Sequence, residues 1–267
     1  MEHAQHDIWA AGDRYEPYVG RWSRRVAHEF LDWLAAPEGK DWLDVGCGTG
    51  ALLQTILATK NPHSVTGIDQ SPGYIEYTKA RSASPRTRFQ VGDAQSLPVD
   101  SASLDIAVTG LVLNFVPQPL QAVTEMARAV RPGGIVAAYV WDYAGKMELM
   151  RYFWDAAMAL DPAAKELDEG RRFPLCQPQP LAELFAQAGL SEVAVRSIDV
   201  ATDFPDFDEY WSPFLGGQGP APGYAMSLSD ERRLALGERL RADLPIDRDG
   251  SIHLIARAWA VRGRTPA

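Results

Sequence analysis

Residues 42–50 read WLDVGCGTG, with Asp44 placed two residues before three glycines at alternate positions, Gly46, Gly48 and Gly50. Two more acids follow in comparable settings, Asp69 within GIDQS (67–71) and Asp93 within VGDAQSLP (91–98). A glycine-rich stretch after an apolar run usually holds a ligand by its backbone, so the chemistry turns on which ligand tolerates a nearby carboxylate. A nucleoside triphosphate loop needs Lys and then Ser or Thr after its last glycine. Here Ala51 and Leu52 follow Gly50, which excludes that reading.

A dinucleotide fingerprint fits by the letter. Gly46-Cys47-Gly48-Thr49-Gly50-Ala51 matches G-x-G-x-x-A, and Asp69 follows at a spacing suited to a ribose diol. Asp44 argues against it, because its charge opposes a pyrophosphate at a helix N-terminus and favours a ligand that carries positive charge. Asp93 adds a carboxylate able to accept from the exocyclic amine of adenine, and Ala94 a backbone amide for a ring nitrogen. An ammonium, a diol and an adenine without phosphate describe S-adenosylmethionine. Each position also has a structural reading. Three glycines make a tight turn, Asp69 and Asp93 can bond their own backbone, and Cys47 can be a small side chain in a crowded loop.

These residues need a frame that brings strand ends together. DWLDV (41–45), SVTGI (64–68), RTRFQV (86–91), LDIAVTG (104–110) and IVAAYVW (135–141) read as strands. Between them, 51–60, the stretch opened by Ser71-Pro72, and 117–130 read as helices, the last broken by RPGG (131–134). Strands alternating with helices predict a parallel sheet covered on both faces, with ligands at the carboxyl ends of the strands. Two further strands are expected at 192–200 and 251–261. An amphipathic helix precedes the first strand, and helices are expected at 146–160 and 178–188. Some fifty residues separate the last two strands and contain FDEYWSPFLGGQGPAPGYAM (207–226), which reads as a lid.

In order and spacing, LDVGCGTG, GIDQS, GDAQSLP, LDIAV and RPGG resemble the class I S-adenosylmethionine-dependent methyltransferases, in the broad subset that includes quinone-biosynthesis enzymes. The resemblance covers about residues 40–141. It implies a single Rossmann-like α/β domain over 1–267, doubly wound, with a seven-stranded, mostly parallel sheet whose last strand is antiparallel. An N-terminal helix (15–35), the cofactor-binding half (40–141) and helical lid segments (142–190 and 205–250) would make up that domain. It further implies that Gly46, Cys47, Gly48 and Gly50 approach the methionyl part of S-adenosylmethionine beside Asp44. Asp69 and Gln70 would hold the ribose, Asp93 and Ala94 the adenine, and Thr109, Gly110 and Leu111 would line the methyl-transfer site. Tyr18 and Arg21 would meet the cofactor carboxylate, although a solvated helix face is the competing reading of Arg21.

Asn114, Trp141, Tyr143, Phe173, Trp211, Phe214 and Tyr224 are the candidates to face an acceptor. The competing readings are a helix cap for Asn114 and lid core for the aromatics. No general base stands out, and His3, His6, His28, His63 and His253 lack metal-ligand spacing, so no metal is expected. The chain of 267 residues is 46% hydrophobic and carries a net charge of −9, which argues against nucleic acid as a partner. Two distant cysteines, no signal-like N-terminus and no long apolar run lead to the expectation of a cytoplasmic protein without membrane insertion. Methyl transfer to a small, partly apolar acceptor is therefore expected. A nicotinamide-dependent oxidoreductase on the same fold, or a cofactor-binding module without catalysis, are the alternatives.

Overall fold

The computed structural model describes residues 20–216 and 219–267. The described residues open on α1 (Arg21–Leu34) and then run β1 (Asp41–Val45), α2 (Ala51–Thr59), β2 (Ser64–Asp69), α3 (Pro72–Arg81) and β3 (Thr87–Val91). It continues through β4 (Leu104–Gly110), α4 (Pro119–Ala129), β5 (Val130–Trp141), α5 (Glu148–Leu160), a short α6 (Glu169–Arg172) and α7 (Pro178–Gln187). The last elements are β6 (Ser191–Phe204), α8 (Phe207–Trp211), α9 (Pro220–Ser227), α10 (Asp230–Asp243) and β7 (Ile252–Arg264).

The strands form one sheet in the order β3-β2-β1-β4-β5-β7-β6. The pairs from β3 to β5 are parallel, and β7 runs antiparallel to β5. This is the expected doubly wound sheet. Its strand order reverses between β1 and β4, which places the carboxyl ends of those two strands at the switch point where ligands of open α/β sheets bind.

The central strands are apolar because both faces are covered. Trp42, Leu43, Val45, Ile106, Ala107 and Val108 are all buried. Phe30 of α1 meets the Tyr139 ring of β5 at 4.8 Å, and α4 packs against β4 and β5. Local sequence sets the ends of these elements. Ser71 caps α3 by accepting from the Tyr74 amide, with Pro72 behind it. RPGG does not form a separate turn: Arg131–Gly134 already belong to β5, and Gly133 takes a left-handed φ of 74° while its amide donates to the Thr265 carbonyl.

Two compact units share the chain. One contains Ser23–Trp141, Leu175–Ile198 and Ala258–Ala267, and so holds β1 to β5, parts of β6 and β7, and the motifs from Asp44 to Leu111. The other contains, among the described residues, 20–22, Asp142–Pro174 and Asp199–Arg257 and is largely helical; it takes in the expected lid residues 142–174 and 205–250 and has its own core, while 175–190 belong to the sheet unit. That core is aromatic. Phe153 stacks on Phe214 at 4.5 Å with an interplanar angle of 11°, Tyr224 lies 5.6 Å from Trp154, and the Tyr210 hydroxyl donates to the Leu149 carbonyl. Trp154 donates its indole N–H to Glu169, whose carboxyl burial pushes up to about 7. Among the described residues, no helix is long and apolar enough to cross a membrane.

Candidate cofactor site

The glycine loop leaves β1 and enters α2. Its path is set by backbone bonds to β2, the Gly46 and Cys47 amides both donating to the Ile68 carbonyl at 2.7 and 3.0 Å. The middle of the loop is held from two sides. The Gly48 amide donates to Asp69 Oδ2 at 2.9 Å, and the Gly48 carbonyl accepts from the Thr78 hydroxyl at 2.5 Å.

The three glycines have different reasons to be glycine. A Cβ at Gly46 would lie 2.6 Å from a Val112 methyl, and one at Gly50 would lie 2.7 Å from the Thr78 methyl. Both positions, like Gly48 at 49°, also take a left-handed φ, 73° and 87°. At Gly48 the nearest atom to a Cβ is the Gly46 carbonyl oxygen at 3.9 Å, so that direction is open. Gly48 alone presents free space of the kind a ligand fills.

Asp44, next to last in β1, is 1% exposed, and neither carboxylate oxygen has a hydrogen-bond partner. Burial, and after it the nearby Asp69, push its carboxyl up to about 7. The Leu53 amide lies close enough to favour the charge slightly without making a hydrogen bond of ordinary geometry. Asp69, at the end of β2, is also buried, and burial raises it despite the Ser71 and Gly48 amides that donate to its two oxygens at 2.8 and 2.9 Å. Its turn reading therefore holds, and it does not compete with the ribose reading. It is a turn acid, and its remaining lone pairs are available to a diol. Neither Asp44 nor Asp69 has an ion-pair partner among the described residues.

A buried carboxylate without a partner is costly, and a cationic or hydroxyl-rich ligand supplies what is missing. That donor set fits the ammonium and ribose of S-adenosylmethionine and does not suit a pyrophosphate. Asp69→Ala removes the clamp on Gly48 as well as a carboxylate whose free lone pairs could take a diol. We expect it to weaken S-adenosylhomocysteine binding by roughly 30- to 1,000-fold, the equivalent of about 2–4 kcal/mol for charge-assisted bonds. Calorimetry on the variant checks this, and unchanged affinity would contradict the role given to Asp69.

The remaining expected positions divide. Gln70 is exposed beside Asp69, while Asp93 is exposed with its carboxylate accepting from the Gln95 amide at 2.9 Å, next to half-buried Ala94. Thr109 lies on the other face of the sheet from Asp44. Asp44 pairs with Val108 across the parallel β1–β4 ladder, so Thr109 points to the opposite face, 1% exposed and with its hydroxyl unpaired. Gly110 is glycine for packing, since a Cβ there would lie 2.5 Å from the Tyr139 ring. Leu111 takes a φ of 62°, a strained value for a bulky residue. The Asn114 amide is buried and unpaired at both ends, so it does not cap α4.

Sequence reasoning missed Thr78 and Val112, which shape the loop from other elements and belong to no motif. Tyr18 lies outside the described residues. Arg21 is engaged in the helical unit, 3.7 Å from Glu209 and stacked over the Trp22 and Phe204 rings. Of the acceptor candidates, Trp141 is 2% exposed at the end of β5 and Phe214 is fully buried in the aromatic core. Tyr143 is buried against Phe173, Tyr224 is buried, and Trp211 and Phe173 are half-buried. An open recess of about 440 Å³ in the helical unit is built around the Arg151–Asp168 ion pair, and none of the candidate residues lines it.

A family model described as a methyltransferase domain matches residues 43–138, which span β1 to β5. The chain is 29% identical over 188 residues to demethylmenaquinone methyltransferase of Staphylococcus aureus, covering 66% of this chain and 76% of that one. It is 38% identical over 124 residues to an uncharacterised 37.1 kDa protein in transposon Tn4556 of Streptomyces fradiae, covering 45% of this chain and only 36% of that protein's length. The fold is shared with phosphoethanolamine N-methyltransferase 2 of Haemonchus contortus, solved with phosphomonomethylethanolamine and S-adenosylhomocysteine. The TM-score is 0.60 at 14% identity, over 95% of this chain and 58% of that one. Residues 43–138 thus match a methyltransferase domain, and the sheet order and glycine loop described above fit a class I S-adenosylmethionine-dependent methyltransferase.

Proposed function

We propose that the protein transfers the methyl group of S-adenosylmethionine to a small, partly apolar acceptor. The observation that carries the cofactor assignment is Asp44, buried and unpartnered at the switch point beside a glycine loop that is open at Gly48. Asp44 would face the ammonium, Asp69 the ribose, and Asp93 with Ala94 the adenine. The bound cofactor supplies a methyl group on a sulfonium, which is already a good leaving group. The protein's part is then to align an acceptor lone pair and exclude water. Asn114, with an unpaired donor and acceptor, is suited to orient such an acceptor.

Similarity to a demethylmenaquinone methyltransferase supports an acceptor that is small and partly apolar. The net charge of −9 supports a partner other than nucleic acid, and two buried free cysteines support a reducing, cytoplasmic setting. Acceptor choice is assigned to the helical unit, which lies outside the matched model, and there Trp211 and Phe173 keep exposed surface. Incubation with methyl-labelled cofactor and a panel of phenols, quinols, amines and thiols tests the proposal. Label entering an apolar member of the panel supports it, and label entering only nucleic acid or protein overturns it.

A further inference from the structure

The chain leaves β4 under constraint. A Cβ at Gly110 would strike the Tyr139 ring, and the Leu111 amide donates to the Tyr139 carbonyl at 2.8 Å while Leu111 holds a φ of 62°. A bulky residue keeps such a value where its surroundings hold it there. The next side chain is Val112. A Cβ on Gly46 would lie 2.6 and 2.8 Å from the two Val112 methyls and 3.2 Å from the Val112 Cβ, so both branches rest against the glycine loop where a side chain would otherwise be. Directly after Val112 comes a 3₁₀ turn, Leu113–Phe115. The Phe115 amide donates to the Val112 carbonyl at 2.8 Å, and the Val116 amide to the Leu113 carbonyl at 3.3 Å. That turn carries Asn114, whose buried side-chain amide is unpaired at both ends. One residue therefore touches the glycine loop and closes the turn that presents the unpaired amide. Side chains packed this closely pass a shift from one element to the next.

We propose that Val112 is a positioning residue that couples occupancy of the glycine loop to the orientation of Asn114. A ligand seated at Gly48 fixes the loop from its open side. Gly46, two residues earlier, then gives Val112 a fixed surface to rest on, and the turn closed by the Val112 carbonyl opens less often. The strain at Leu111 supplies the opposing tendency, since relaxing that φ redirects the chain at the entry to the turn. The group that orients an acceptor is therefore held most firmly when the methyl donor is already in place. The inference rests on the reading of the glycine loop as the S-adenosylmethionine site and of Asn114 as the acceptor-orienting group, and it adds the link between them.

Hydrogen exchange of the full chain, resolved at single amides, reads this coupling with and without saturating S-adenosylhomocysteine, while calorimetry gives the affinity. In the unaltered protein the ligand should slow the Phe115 and Val116 amides by about tenfold relative to amides in α7, which report global opening. Val112→Ala should bind S-adenosylhomocysteine with a Kd within about threefold, because the open turn is a minor state, and should lose most of that slowing. Val112→Thr keeps the branched shape and should retain it. A side chain that merely filled space would change exchange with and without ligand alike and leave their ratio as it was. Should Val112→Ala fail to fold, Val112→Leu, which moves the branch off Cβ, takes its place with the same expected loss. No slowing in the unaltered protein, equal slowing in Val112→Ala or its replacement, or loss of slowing in Val112→Thr overturns the proposal while leaving the cofactor reading standing. Absence of any S-adenosylhomocysteine binding defeats both.

Discussion

Asp44→Asn is expected to raise the melting temperature of the ligand-free protein at pH 8 and to leave it unchanged at pH 4. The unfolded chain ionises this side chain in the ordinary carboxylate range, about 3.9. The folded chain resists until about 7 because the group is buried and faces Asp69. Below the unfolded value both states hold the proton and nothing is lost. Between the two values the unfolded state alone gains by ionising, so the folded state is progressively weakened, and the full penalty is present above 7. Roughly three pKa units correspond to about 4 kcal/mol. An asparagine amide would still lack partners, so a recovery of about 1–3 kcal/mol is expected, or several degrees in Tm for a chain of this size.

The same change should cost at least tenfold in S-adenosylhomocysteine affinity, because the counter-charge is gone. Glu169→Gln is the control. It removes a second acid raised to about 7 by burial, in the helical unit, and keeps an acceptor for the Trp154 indole. It should give the pH-dependent gain in Tm without touching cofactor affinity. A gain for Glu169→Gln but none for Asp44→Asn would mean that Asp44 is not the strained acid described here.

The glycine loop supplies the second large effect. Gly46→Ala puts a methyl 2.6 Å from Val112, at a φ of 73°, and so should destabilise the fold by about 3 kcal/mol whether or not ligand is present. Gly48→Ala meets no protein atom closer than 3.9 Å, and its left-handed φ of 49° costs only about 1 kcal/mol. Its methyl should instead enter ligand space and weaken S-adenosylhomocysteine binding by more than tenfold. Thermal melts paired with calorimetry separate the two. Normal binding by a folded Gly48→Ala protein would reduce the loop to a turn.

How much of this was legible depended on whether the cause was local. The strand ends carrying Asp44, Asp69 and Asp93 could be placed because short apolar runs and Ser71-Pro72 are local signals. Gly46 and Gly50 read as ligand contacts, and a second reason for glycine there was not visible: their Cβ positions are closed by Val112 and Thr78, residues from distant segments that no motif announces. Thr109 read as part of the methyl-transfer lining, and only the β1–β4 register shows that its side chain lies on the face opposite Asp44. Phe214 read equally well as pocket wall or core, since sequence does not say that it stacks on Phe153. The separate core of the helical unit was hidden for the same reason: its aromatics are scattered over α5, α8 and α9 and meet only in space.

Calorimetric titration of the unaltered protein with S-adenosylhomocysteine and, separately, with NAD at pH 8 tests the cofactor assignment most directly. Asp44, Gly48 and Asp69 together predict one S-adenosylhomocysteine bound per chain and no heat from NAD, because a pyrophosphate would meet the two buried acids. Saturable binding of NAD with none of S-adenosylhomocysteine would contradict it.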